Sequence, residues 1–168
     1  MAGVVTALVA RPTTYNGIQM RSRLEARVAG FLDLYGLSWQ YEPRAFASGP
    51  TQYLPDFRAE ALFSREMPTY IEAKGLIRDI GSVERRMEVV FASEPHASLM
   101  ILEGSGDTYE VLFRVGVVGH WRVAKMAVCG CGQLSVTVEL SDGWFFICQA
   151  CGSDQPLAFV HPVRSTLP

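Results

Sequence analysis

All four cysteines of this chain fall between positions 129 and 151, as the pairs Cys129, Cys131 and Cys148, Cys151. No other feature restricts the fold as strongly. Sixteen residues separate the pairs. They read as two strand-like runs, LSVTVEL and WFFI, joined at Asp142 and Gly143, a strong hairpin signal. Closing that hairpin brings the glycine-rich segments CGCG and CQACG together. Four thiolates gathered in this way suit tetrahedral Zn2+ with every position filled by sulfur, which makes the metal structural rather than catalytic. Two disulfides, four free thiols and an iron–sulfur cluster are the alternatives. A C-x-C disulfide is strained, and a chain that otherwise reads as intracellular opposes one. The metal is expected to stabilise a small module unable to bury enough surface alone.

The chain has 168 residues, enough for one compact domain with or without a small appendage. Hydrophobic residues make up 49% and charged residues 19%, so a core needing no disulfides is expected. A formal net charge of −2 is low for a strong, nonspecific nucleic-acid binder. Metal-binding carboxylates subtract from that total, and basic residues can still cluster on one face. The opening MAGVVTALVARP has no basic lead and is read as no signal peptide. No run approaches the roughly 20 apolar residues of a membrane span. The expected location is the cytoplasm of a bacterial or phage-infected cell, with no membrane partner.

Along the chain, residues 1–17 read as a loose arm with a short strand at 4–9. Residues 19–35 read as an amphipathic helix with Leu24, Val28, Phe31, Leu32 and Tyr35 on one stripe, stopped by Gly36. Residues 38–46, 52–60 and 69–74 read as three strands, the second at an edge or bulged because of Pro55. A second helix is expected at 82–93, with Val83, Met87, Val90 and Phe91 inward. Strands are expected at 97–103 and 108–118, and a disordered tail at 161–168.

Three acids and a lysine carry the functional reading. Glu72 and Lys74 stand two apart in IEAKG, so alternation puts both on one face of the sheet. Asp56 ends YLPD on the preceding strand, where its carboxylate comes alongside Glu72. Paired carboxylates are what Mg2+ or Mn2+ requires, with waters and a substrate phosphate completing the octahedron, and the carbonyl of Ala73 is a further candidate ligand. Lys74 beside such an ion positions or deprotonates an attacking water and offsets charge on the phosphate. Glu25, in RSRLEAR, lies on the preceding helix.

With SRLEAR, WQYEP, YLPDF and IEAKG in this order, the chain from about residue 15 to 103 resembles the PD-(D/E)XK nuclease superfamily. Phage and bacterial endonucleases related to Holliday-junction resolvases, and transposon endonuclease subunits, are the nearest likeness. The resemblance implies an α/β fold, with an αβββαβ restriction-endonuclease-like core and a mixed sheet. It implies that Asp56 and Glu72 bind the catalytic metal, that Lys74 assists the nucleophile, and that Glu25 supports the metal or its water. The implied activity is metal-dependent hydrolysis of DNA phosphodiester bonds by an endonuclease, with DNA as partner and a homodimer possible because two strands need two sites. Action on RNA or DNA ends, and a non-catalytic nucleic-acid-binding or assembly module, are the alternatives. The chain is much less basic than many resolvases. Residues 126–158 resemble a zinc ribbon, with C-x-C in place of the more usual C-x-x-C in the first knuckle. The expected division is a nuclease core at 1–118 and a zinc-ribbon module with its tail at 119–168.

Each of these residues also has a structural reading. Glu25 can be a solvated helix acid paired with Arg21. Glu42 can join the site or cap a strand end, with the cap favoured, and Asp56 can be a turn aspartate after proline. Glu72 and Lys74 can be a structural ion pair. Arg85 and Arg86 suit either DNA phosphates or a solvated helix face. His96, His120 and His161 share no motif and are assigned nothing. Trp144, Phe145 and Phe146 are expected to pack on the core, or to present one ring at a contact with DNA or a second subunit.

Overall fold

Strands that are apolar on both faces belong at the centre of a sheet, and two segments of this chain have that character. The computed structural model describes residues 10–75, 79–105, 108–141 and 143–160. In chain order the elements are β1 (Thr13–Tyr15), β2 (Ile18–Met20), α1 (Arg23–Leu34), β3 (Trp39–Tyr41), β4 (Phe46–Ser48), β5 (Thr51–Tyr53), β6 (Phe57–Ala59) and β7 (Thr69–Lys74). There follow α2 (Ile80–Met87), a 3-10 turn (Glu88–Ala92), β8 (Ser98–Ser105), β9 (Thr108–Val115), β10 (Arg122–Cys129), β11 (Leu134–Leu140), β12 (Gly143–Phe145) and β13 (Pro156–Val160). The fold is mixed α/β, rich in strands and poor in helices. No helix among the described residues is long and apolar enough to cross a membrane.

One sheet runs β12-β11-β10-β9-β8-β7-β6-β3, with β13 also paired to β10. Only β7 and β8 are parallel; they are joined through α2 and the 3-10 turn. They are the two apolar strands, TYIEAK and SLMILEGS. Residue 118, the expected boundary between core and module, lies between β9 and β10, which pair antiparallel through Arg122↔Phe113 and its neighbours.

Alternation along the strands sorts the core into two layers. On one face α1 packs Val28, Ala29, Phe31 and Leu32 toward Ile71, Ala73, Met100 and Leu102. On the other, α2, the 3-10 turn and the β4–β5 hairpin enclose Tyr70, Leu99 and Ile101 with Phe46, Tyr53, Val83, Met87 and Val90. The expected stripes are thus inward, with Leu24 and Tyr35 half-buried at the rim, and Arg85 and Arg86 are exposed. Helix α1 ends as expected: Gly36 and Leu37 donate their backbone N–H groups to the carbonyls of Asp33 and Leu32, closing the last turn.

Several expected boundaries move. Residues 18–20 form β2 rather than the start of the helix, because Ser22 caps α1 by accepting the N–H of Glu25 at 3.2 Å. The expected strand 38–46 is two strands, β3 and β4. The expected strand 52–60 breaks at residues 54–56, where Pro55 offers no donor: β5 pairs with β4 in a separate hairpin and β6 with β7 in the main sheet. The second helix becomes 3-10 from Glu88 onward, and β9 stops at Val115. The strand expected at 4–9 and the tail 161–168 lie outside the described residues.

Candidate functional site

Asp56 lies in the gap between β5 and β6, where the β6 ladder along β7 ends at Phe57↔Ile71. Beyond that pair the edge of β7 facing β6 is open to side chains. The carboxylate of Asp56 takes it: Oδ2 accepts the backbone N–H of Ala73 at 2.8 Å. In a strand the N–H and C=O of one residue leave on the same side, so the carbonyl of Ala73 is directed toward Asp56 as well. Glu72 and Lys74 share the face of Tyr70. The ammonium Nζ of Lys74 is 2.7 Å from Glu72 Oε1 and 3.8 Å from Asp56 Oδ2. Tyr53, on β5, donates its hydroxyl to Glu72 Oε2 at 2.8 Å.

Glu25 is drawn to the same place from α1. Its Oε2 accepts the hydroxyl of Tyr41 at 2.6 Å and the backbone N–H of Arg21 at 3.0 Å, and its Oε1 accepts Ser22 Oγ at 2.9 Å. Arg21 links the two halves. Its guanidinium pairs with Asp56 Oδ1, with Glu42 Oε1 at 3.1 Å and more loosely with Glu25 at 4.0 Å. Glu42 has φ of 44°, a left-handed conformation rare for such a residue, and its N–H donates to the carbonyl of Asp56 at 2.9 Å. The expected pairing of Arg21 with Glu25 is present, yet Glu25 is not a solvated helix acid: Glu25, Asp56 and Glu72 are 5%, 0% and 3% exposed.

Among the described residues, the ion pairs of this site join four carboxylates to two cations, Arg21 and Lys74. The electrostatics agree. Burial, and then the charge of Glu72, lift the Asp56 carboxyl from its ordinary 3.8 to about 7, although Lys74 and the Ala73 N–H pull it down. Burial would lower the Arg21 guanidinium, but Asp56 with its neighbours outweighs it and holds the charge more firmly than usual. Hard oxygen donors carrying negative charge suit a divalent cation such as Mg2+. Asp56, Glu72 and the carbonyl of Ala73 bring donors of this kind to one edge of β7.

The cysteines form a second centre. The four sulfurs lie within 4.8 Å of one another, with Cys129–Cys151 at 3.5 Å and Cys131–Cys148 at 3.6 Å. Tetrahedral zinc thiolate sites have Zn–S near 2.3 Å, which puts sulfurs about 3.8 Å apart. The quartet can therefore hold a zinc ion. Among the described residues it is the one group of three or more metal-binding side chains this compact. Each knuckle is a backbone turn: Cys129 accepts the N–H of Gly132, and Cys148 that of Gly152. Both glycines have positive φ, 88° and 75°, where a side chain would be strained. The backbone N–H of Cys131 holds the Cys129 thiol down to about 7. The N–H of Ser153 pulls Cys151 down too, but the other three sulfurs outweigh it and push that thiol up to about 12. The hairpin expected between the pairs is present as β11 and β12, closing at Leu140↔Gly143; Asp142 itself lies outside the described residues.

The structure thus brings Glu25, Asp56, Glu72, Ala73 and Lys74 together, and gathers all four cysteines. Arg21, Tyr41 and Tyr53 belong to the first site and were not foreseen there. Their one local signal is adjacency, Tyr53 in QYLPD and Tyr41 in WQYEP. His96 and His120 are exposed; His161 lies outside the described residues. Phe146 is buried against the cysteines, whereas Trp144 and Phe145 are exposed rather than packed on the core. Comparison with protein-family models, with curated proteins and with solved structures gives no match to this chain.

Proposed function

We propose that this protein is a metal-dependent endonuclease hydrolysing DNA phosphodiester bonds, with Asp56, Glu72 and Lys74 as its catalytic groups and Glu25 as a positioning residue behind them. The observation that carries the reading is Lys74 set between Glu72 and Asp56 at the open edge of a buried strand. The sequence α1, β3, β6, β7, α2, β8 supports an αβββαβ nuclease core, with the β4–β5 hairpin inserted and β9 to β13 added. DNA is the expected substrate and Mg2+ or Mn2+ the expected ion.

Asp56, Glu72 and the Ala73 carbonyl would hold the ion, which when bound would supply positive charge to the phosphate and make the attacking water more acidic. The chain does the positioning. The Ala73 N–H fixes one oxygen of Asp56, and Tyr53 fixes one oxygen of Glu72. Lys74 orients the attacking water and offsets charge as it builds on the phosphate oxygens. Glu25, held by Tyr41 and Ser22, keeps Arg21 in place beside Asp56. The cysteine quartet is read as a structural zinc site that fastens β12 and β13 to β10.

The test is incubation of the purified chain with supercoiled, linear, branched and single-stranded DNA, with Mg2+, with Mn2+, with Ca2+ and after exhaustive metal removal. Cleavage with Mg2+ or Mn2+, and binding with little turnover in Ca2+, is the expected result. Inertness toward all four substrates, or full cleavage without metal, rejects the reading.

A further inference from the structure

We infer that Trp144, Phe159 and Lys125 form a platform on which an unpaired base of the substrate stacks, in line with the Glu72–Lys74 site across one face of the sheet. The inference rests on the nuclease reading above and narrows its substrate to nucleic acid with a single-stranded segment.

The platform is built from three strands. The rings of Trp144 on β12 and Phe159 on β13 have centroids 6.4 Å apart at 61°. The Lys125 ammonium on β10 sits over both, 4.0 Å from the Trp144 centroid and 5.2 Å from that of Phe159. Both rings are exposed, 37% and 50%. Among the described residues Lys125 has no carboxylate within ion-pair distance, and its ammonium lies on the two rings.

Strand register places this platform relative to the first site. Glu72 pairs with Ile101, Ile101 with Leu112 and Leu112 with Val123. The Ala124↔Val138 pair sets Val123 level with Glu139, and Glu139 pairs with Trp144. Side chains of directly paired residues lie on one face, so Glu72 and Trp144 stand on the same face and in the same row. Strands lie about 4.8 Å apart, which puts β10 roughly 14 Å and β12 roughly 24 Å from β7.

Chemistry selects the partner. In a duplex the base faces are already stacked on one another and only the backbone is offered to the rings, where Glu139 and Glu110 on the same face give it no cation; an unpaired base presents a free face. Two exposed rings with a lysine between them suit an unpaired base, which every ring can stack regardless of sequence. The cysteine quartet then has a reason to exist beyond stability. Cys129 ends β10, Cys148 follows β12 and Cys151 precedes β13, so one cluster fixes the three strands that carry the platform.

The experiment measures anisotropy of a short labelled DNA single strand and of the same sequence as a blunt duplex, with the full chain in Ca2+. Trp144→Ala and Phe159→Ala should each weaken single-strand binding roughly five- to a hundredfold while leaving duplex binding unchanged. Trp144→Phe should restore most of the loss. Lys125→Ala should lower the salt dependence by about one phosphate contact, which the ring variants should not do. Equal single-strand affinity in wild type and Trp144→Ala overturns the inference, as does equal loss toward single strand and duplex. A wild-type dimer that becomes monomeric in Trp144→Ala also overturns it, since the rings would then join two copies. Zinc content and circular dichroism of each variant show that it is folded. Trp144-dependent binding without Asp56-dependent cleavage would defeat the nuclease reading and leave the platform standing; cleavage with no Trp144 effect would do the reverse.

Discussion

The acidic site and the cysteine quartet sit on one sheet but are held in opposite ways. The acids are fixed by the scaffold: two apolar layers bury β7, and hydrogen bonds from Ala73, Tyr53 and Tyr41 aim the carboxylates. The quartet is anchored on one side only, where Cys129 ends β10 with Ala124, Met126 and Ala127 buried; on the side of Cys148 and Cys151 the scaffold is thin. Its buried cluster is Ala127, Cys129, Phe146 and Cys148, while every residue of β12 is exposed and β13 is nowhere fully buried. In the first region the fold imposes a charge arrangement that is costly, as the raised Asp56 carboxyl records. In the second the sulfurs impose an arrangement on a fold that burial alone would leave loose. One site strains its scaffold, and the other supplies it.

The largest effect that tests this contrast comes from removing a carboxylate. Asp56→Ala or Glu72→Ala should lower DNA cleavage roughly a hundred- to a thousandfold or more, with the circular dichroism spectrum and zinc content unchanged. Full activity in either variant breaks the assignment. Next is Cys148→Ser. Metal analysis should show zinc falling from about one equivalent per chain to well below half, and proteolysis should open residues 143–160 while the sheet from β3 to β11 survives. Iron in place of zinc in the parent protein, or a C-terminal region as resistant without metal as with it, would erase the distinction between the regions. Glu25→Gln should cost about tenfold in activity, less than Asp56→Ala, because it acts through Arg21 and the orientation of its neighbours. A loss as large as that of Asp56→Ala would make it a direct ligand.

The smallest effect is a pH slope. The native state holds the Asp56 proton up to about pH 7, while the unfolded chain releases it near 3.8. Between those values the native state binds more protons, so this group adds stability as pH falls from 8 toward 5 and withdraws it as pH rises through 7. Urea titrations of wild type and Asp56→Asn, both zinc-loaded and free of Mg2+, should show wild type losing stability relative to the variant from pH 6 to pH 8. Parallel pH profiles would show that Asp56 carries no burial cost.

What the sequence made legible follows from the range of the interactions involved. The bounds of β7 were readable because its apolar run is local and Gly75 ends it. The cysteine site was readable because two short knuckles and one hairpin gather all its ligands. The start of α1 was misplaced because Met20 extends the apolar stripe. The cue against it, Asn16 and Gly17 with φ of 46° and 77° in a tight hairpin turn, went unread. Pro55 suggests an edge position or a bulge, whereas in the fold it is a break that frees Asp56 from the ladder. Arg21 could not be found locally. Its role depends on Glu42 and Asp56, brought to it by sheet pairing across up to 35 residues of sequence.

Because a single sheet carries both regions, their relation is one of parity. A one-residue insertion or deletion inside a strand turns every following side chain of that strand to the opposite face unless a bulge absorbs it. Such a change in β7 would carry Glu72 and Lys74 into the layer beneath α1; in β10 it would take Lys125 away from the two rings. A change of even length within a strand, or one in the connection 116–121, would leave both faces as they are.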